Sequence, residues 1–161
     1  MKKQLLFFFL VFIALAVPVK NLFAQDIKVL PEVRVTSSVK VPDKVSTAFS
    51  GDFKNAVGPK WYKLNRDFLV KFIQEDMKHN TLYKKNGFLK YDISYGKEKN
   101  LPDEVLNSVK TDYKDYAITT AINVKEEGRN IWVINLDGNN KLLIVRWEEG
   151  ELEEVGNYKK S

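Results

Sequence analysis

The chain has 161 residues, of which 44% are hydrophobic and 12% aromatic; it has no cysteine and a formal net charge of +5. The absence of cysteine excludes disulfides, thiolate chemistry and a lipid-modified cysteine. Three of the 26 basic residues (Lys2, Lys3 and Lys20) and no acidic residue lie in the first 24 positions, which leaves 23 basic against 21 acidic residues in the rest. This balance is too even for the concentrated basic face that binds nucleic acid, so we expect no nucleic-acid partner.

Residues 1–24 have the pattern of a secretory signal peptide. Lys2 and Lys3 precede an uncharged apolar run from Leu5 to Val17, and Ala24 is the preferred cleavage point. The run of about thirteen residues is shorter than the roughly twenty that a bilayer requires, so we expect no transmembrane segment in the mature chain. We therefore predict a periplasmic or secreted protein.

Residues 25–40 follow as a β-rich stretch interrupted by Pro31. An N-terminal extended arm or edge strand fits this composition. A disordered leader fits it equally well.

The segment VPDKV, which starts at Val41, returns as LPDEV at Leu101. Five residue pairs that lie sixty positions apart are identical: Pro42/Pro102, Asp43/Asp103, Val45/Val105, Asp52/Asp112 and Lys54/Lys114. Identity at this density indicates an internal repeat. In each copy the proline and aspartate suit the first turn of a helix. Apolar residues then recur every four positions and predict one buried helix face, with Val45, Phe49 and Phe53 in the first copy and Val105, Val109 and Tyr113 in the second.

Alternating apolar residues and turn signals predict about four strands after each helix. In the first copy these are 61–64, 68–73, 81–84 and 88–95, with a loop at 74–80; in the second they are 116–124, 131–136, 141–147 and 151–155. The predicted fold class is α+β: two tandem repeats, 41–96 and 101–158, each an N-terminal helix followed by an antiparallel β-meander of about four strands, with the helices on one face of the sheet.

Two predicted strands are apolar on both faces, although a helix layer covers only one face of a sheet. They are the strands that contain Ile131–Ile134 and Leu142–Val145. The other repeat, the arm or a partner molecule must cover the second face. An exposed aromatic group on such a face is typical of a binding surface. The candidate binding residues are Trp132, Trp147, Trp61, Phe68 and Phe72.

The residue inventory offers little for catalysis. His79 is the only histidine, and the pattern places it in the loop at 74–80 as a solvated side chain. One histidine without cysteine excludes ordinary zinc sites, and the acidic run after Trp147 lacks the spacing of a calcium loop. We predict no enzymatic activity, no catalytic residue, no metal site and no cofactor. A hydrolase that uses paired carboxylates stays open as a minor alternative, because sequence does not reveal their separation.

The sequence resembles the PepSY-like proteins of Bacteroidota, also described as beta-lactamase-inhibitor-like. The residues that carry the resemblance are the two (V/L)PDxV helix starts, KKNGFLKYDI at 84–93 and ITTAINVKEEGRNIWVINLDGNNKLLIVRWEEGELEEV at 118–155. The resemblance implies a helix and an antiparallel sheet in each repeat, similar to the two units of beta-lactamase inhibitory protein, whose concave sheet grips an enzyme. It implies no catalytic residues.

These observations lead to two hypotheses from different classes. The first is a non-enzymatic exported binding module that recognises a protein or peptide through an apolar, aromatic sheet face opposite the helices, with Trp132 and Trp147 as anchors. The second is a structural or envelope-stress homodimer that buries that face in its interface. Light scattering across a dilution series separates the two.

Overall fold

The computed structural model describes residues 35–37 and 39–160. The signal peptide predicted at 1–24 lies outside the described residues, and so does most of the predicted arm at 25–40. In chain order the described elements are β1 (Val35–Ser37), α1 (Asp43–Asp52), β2 (Val57–Leu64), β3 (Asp67–Gln74), β4 (Met77–Tyr83), β5 (Leu89–Gly96), a 3₁₀ turn (Glu98–Asn100), α2 (Asp103–Asp112), β6 (Ala117–Glu126), β7 (Arg129–Asp137), β8 (Lys141–Glu148) and β9 (Glu151–Lys159). None of the helices in this part of the chain combines the length and the apolar character that crossing a bilayer requires.

All nine described strands form one antiparallel sheet, in which each strand pairs with its neighbour in the chain. Tight turns make this order possible. Between β3 and β4 only Glu75 and Asp76 separate the paired residues Gln74 and Met77, and both have positive φ, as a two-residue hairpin turn requires. The predicted loop at 74–80 is therefore wrong, and His79 lies within β4.

The predicted fold class of two tandem helix-and-meander repeats is also wrong. β5 pairs with β6 through six residue pairs, from Tyr91↔Glu126 to Gly96↔Ala121, so the sheet crosses the predicted boundary without a break. The described residues are mostly β, with two α-helices of ten residues each. A separate four-stranded meander would leave the N–H and C=O groups of β5 and β6 unpaired at two edges, and joining the strands satisfies both.

Both helices cover the same face of the sheet. α1 packs through Val45 and Phe49 against Phe68, Val70, Phe72 and Tyr83. α2 packs through Val105 and Val109 against the larger cluster of β6–β8. Cross-strand partners point to the same side of a sheet. One row of partners joins the two clusters: Phe72, His79, Ser94, Asn123, Trp132 and Trp147.

The turn between β4 and β5 lies against the first turn of α1. Gly87 has a φ of +88°, and a Cβ at this position would lie 2.7 Å from the carbonyl oxygen of Lys44. Only glycine combines this backbone conformation with so close an approach. The turn therefore fixes where α1 sits on the sheet.

Candidate functional site

The structure places the two leading candidate residues in the core. Trp132 is 5% exposed and Trp147 8% exposed, and both pack in the cluster that contains Val105 and Val109 of α2. Their indole nitrogens find no acceptor among the described residues. The prediction that Trp132 and Trp147 lie on an exposed face is therefore wrong, because the period of two directs both side chains toward the helices.

The other three candidates lie on the same covered side. Phe68 and Phe72 are buried against α1. Trp61 is partly buried at the edge of that cluster, with its ring centroid 5.3 Å from that of Phe49 in an edge-to-face arrangement. The structure thus brings Trp61, Phe68 and Phe72 together with α1, and Trp132 and Trp147 with α2. Four of the five belong to the hydrophobic core, and Trp61 packs against its edge.

The opposite side of the sheet, which we call the open face, carries the alternate residues of β2–β9 and, among the described residues, no helix. Its centre consists of aliphatic side chains that neighbouring strands bring side by side: Ile93, Ile122, Val124, Ile131, Val133 and Ile144. They are half-buried. Leu82 is 4% exposed yet belongs to neither helix-covered cluster, and it lies between Leu69 and Tyr91 on the adjacent strands. The sheet is therefore apolar on both faces, as the sequence predicted.

Exposed large apolar side chains are concentrated on the open face. Among the described residues seven are exposed, and five of these belong to it: Val57 (66%), Ile73 (48%), Tyr95 (40%), Leu142 (44%) and Tyr158 (57%). Phe88 lies in a turn and Val155 at a bulge of β9. These five residues were not predicted as binding residues, because tryptophan and phenylalanine were preferred as anchors. The alternation of β8 contained the signal, since an inward Trp147 requires an outward Leu142.

Charge is distributed unevenly over the open face. The β2–β4 half carries Lys60, Lys71 and Lys78, all exposed, and in the described part of the chain no carboxylate lies within ion-pair distance of any of them. The Lys71 ammonium lies 5.6 Å from the centroid of the Tyr62 ring. Asp67, the one acidic residue within the strands β2–β4, is held by Lys90 at 3.0 Å.

In the β7–β9 half, two carboxylates are paired with arginines. Arg129 donates two hydrogen bonds to Glu148, at 2.7 and 2.9 Å, and Arg146 donates one to Glu153 at 2.8 Å. The hydrogen bonds from Arg129 lower the pKa of Glu148. Glu148 and Glu153 are thus already compensated within the protein, whereas Glu151, the cross-strand partner of Glu148, has no ion pair in the described residues.

A buried polar cluster lies between the two helix-covered clusters. The Thr81 hydroxyl donates to Asp92 at 2.5 Å, and Nδ1 of His79 lies 3.0 Å from the same carboxylate. The His79 ring also stacks on Phe72, with 4.7 Å between centroids. The prediction of a solvated loop histidine is therefore wrong. In the described ranges no group of three His, Cys, Asp or Glu side chains is arranged to hold a metal ion.

No protein-family profile matches this chain, and no curated protein does. Three crystal structures from Bacteroides species share its fold. A DUF2874 family protein from Bacteroides ovatus is 16% identical, with 73% of this chain and 89% of that chain covered and a TM-score of 0.54. A BLIP-like protein from Bacteroides fragilis is 14% identical, with 76% and 92% covered and a TM-score of 0.57. A DUF2874 family protein from Bacteroides uniformis is 11% identical, with 74% and 90% covered and a TM-score of 0.54.

These similarities concern the fold alone. They agree with the beta-lactamase-inhibitor-like part of the resemblance, whereas the PepSY name finds no support in them. A fourth structure with this fold, from Bacteroides eggerthii, is provisionally described as a periplasmic protein; it is 16% identical, with 75% and 90% covered and a TM-score of 0.52.

Proposed function

We propose that this chain is a non-enzymatic, exported binding module that recognises a protein or peptide partner through the open face of its sheet. One observation carries the proposal: five of the seven exposed large apolar side chains in the described residues lie on the side that neither α1 nor α2 covers. A concentration of exposed apolar side chains on one face is typical of an interaction site.

The anchors differ from those that the sequence suggested. Tyr95 and Tyr158 present aromatic rings on the open face, and an exposed tyrosine combines a large apolar area with a polar hydroxyl. Ile73 lies in the same cross-strand row as Tyr95, with Lys78 between them, and Leu142 pairs directly with Tyr158. Since a few well-placed residues dominate binding energy, we assign the anchor role to these four instead of Trp132 and Trp147.

Two further observations support the proposal. The name BLIP-like, given to the Bacteroides fragilis structure, points to protein recognition as one use of this fold. The signal pattern at 1–24 and the provisionally periplasmic Bacteroides eggerthii structure agree with export to the periplasm or the medium.

The test compares two double variants that add the same charge on different surfaces. Ile73→Asp with Tyr95→Asp alters the open face. Phe88→Asp with Val155→Asp alters two equally exposed apolar residues away from it. Each purified protein is used to capture partners from a periplasmic extract, captured proteins are identified by mass spectrometry, and folding is checked by urea denaturation.

We expect the open-face variant to lose partners that the wild type and the control variant both retain. If both variants recover the same partners as the wild type, the open face is not the binding surface. Light scattering over a dilution series tests the alternative: a stable dimer that only the open-face variant dissociates means that the face serves self-association.

A further inference from the structure

The β2–β4 half of the open face retains an unfavourable arrangement of charge. Lys60 and Lys71 are direct cross-strand partners, and Lys78 lies one strand further on, diagonal to Lys71. Like charges directly opposite each other on neighbouring strands destabilise a sheet. Asp67, the one acidic residue within the strands β2–β4, is occupied by Lys90. The folded protein therefore bears a repulsion that an anionic group above the three lysines would relieve.

A groove beside Tyr95 extends this basic surface. It encloses about 380 Å³ and is lined by Tyr95, Lys78, Lys97 and Lys99 together with Asp76, Gly96 and Asn100. Its single carboxylate, Asp76, is held by Lys99 at 2.8 Å, and this contact lowers the pKa of Asp76. The groove thus combines an exposed aromatic ring with a net positive charge.

A second copy of the chain would offer this surface acidic residues that are mostly already paired. On β7–β9 of a facing copy, Glu151 has no ion pair in the described residues, but Arg129 and Arg146 already hold Glu148 and Glu153. Those arginines would have to give up their partners before the carboxylates became available. The β9 edge is also unsuited to strand addition, because a bulge at Val155 interrupts its pairing and charged residues line it.

We propose that the β2–β4 half of the open face binds an acidic protein segment, in which an apolar side chain contacts Ile73 and Tyr95 while flanking Asp or Glu side chains lie over Lys60, Lys71 and Lys78. This inference rests on the proposed function. The apolar neighbours favour a peptide over nucleic acid, whose phosphates would gain nothing from Ile73. Complementary charge of this kind acts mainly on the association rate and on specificity.

The test uses a displayed library of random twelve-residue peptides, selected on the immobilised mature protein. Three variants are selected in parallel. The first carries Lys60→Glu, Lys71→Glu and Lys78→Glu. The second carries Lys44→Glu, Lys114→Glu and Lys125→Glu, which change the net charge equally at exposed lysines away from the open face. The third is the variant with Ile73→Asp and Tyr95→Asp.

We expect the wild type and the second variant to enrich peptides that combine Asp or Glu with an apolar residue. The first variant should bind those peptides at least about tenfold more weakly, with a flatter dependence on ionic strength. If the enriched peptides are not rich in Asp or Glu but still require Ile73 and Tyr95 for binding, this inference is wrong and the proposed function is retained. If the enriched peptides bind the wild type and all three variants equally, or if no peptide is enriched above the support without protein, both this inference and the proposed function are wrong.

Two additional measurements cover other occupants. The first measures the binding of a twelve-nucleotide single-stranded DNA. If this binding depends on the three lysines and the selection yields no acidic peptides, the surface binds nucleic acid and the inference is wrong. The second is light scattering. If the wild type forms a dimer and the first variant is a monomer, the surface binds a second copy of the chain and the inference is also wrong.

Discussion

Replacing Trp132 by alanine tests directly whether this residue belongs to the core or to a binding surface. Trp132 is 5% exposed, so folding removes nearly all of its roughly 200 Å² from water. At about 25 cal/mol per Å² this burial stabilises the fold by about 5 kcal/mol, of which an alanine methyl group recovers about 1 kcal/mol. The indole N–H lacks an acceptor in the described residues, and its removal offsets a further part. We expect Trp132→Ala to lower the free energy of unfolding by about 3 kcal/mol, within the range of about 3–5 kcal/mol for such truncations.

The measurement is urea denaturation followed by circular dichroism, with Tyr158→Ala as the control on the open face. Tyr158 is 57% exposed, so its truncation should cost about 1 kcal/mol or less. The slope of free energy against urea should stay unchanged in both variants, since neither alters the surface exposed on unfolding by much. A loss below about 1 kcal/mol for Trp132→Ala would refute the placement of this tryptophan under α2 and restore it as a candidate anchor.

Two further predictions concern buried polar contacts. Thr81→Val removes the hydroxyl that donates to Asp92, which is 3% exposed, so the free energy of unfolding measured by heat or urea should fall by about 1–3 kcal/mol. Thr81→Ser keeps the hydroxyl and should lower it less. Equal losses in the two variants would show that this hydrogen bond contributes nothing to stability. Burial, and then the hydrogen bond to Asp52, raise the pKa of Tyr83 well above its usual value of about 10. Above that pH the unfolded chain loses a proton that folded Tyr83 keeps, so stability should fall as pH rises, and Tyr83→Phe should reduce this slope in urea titrations between about pH 9 and 11. Burial also raises the pKa values of Tyr91 and Tyr113, which should account for the remaining slope, and an unchanged slope in Tyr83→Phe would contradict the assignment.

Helix positions were predictable because their signals are local. Pro42 and Pro102 stand directly before α1 and α2, and the four-residue spacing identified Val45, Phe49, Val105 and Val109, all of which are buried. The turn at Glu75 and Asp76 was missed, since acidic residues are unusual at positive φ and no glycine marks the hairpin. His79 was misplaced for the same reason.

The candidate site shows what local patterns leave open. Alternation divides β7 and β8 into two sets of side chains, and it does not state which set faces the helices. Aromatic content favoured Trp132 and Trp147 as the exposed set, but large aromatic rings also fill a core well, and α2 packs on them. The residues left outside, such as Leu142 and Tyr95, are less conspicuous in sequence.

By itself the sequence determined the two helices, most of the strands, the signal pattern and the fact that the sheet is apolar on both sides, because each of these depends on residues close together in the chain. Only the tertiary structure decided that β5 pairs with β6 to make one sheet, that both helices lie on the side of the tryptophans, and that Lys60, Lys71 and Lys78 meet on the other. These depend on contacts between distant residues, in which the burial of a whole surface outweighs the preference of any single segment.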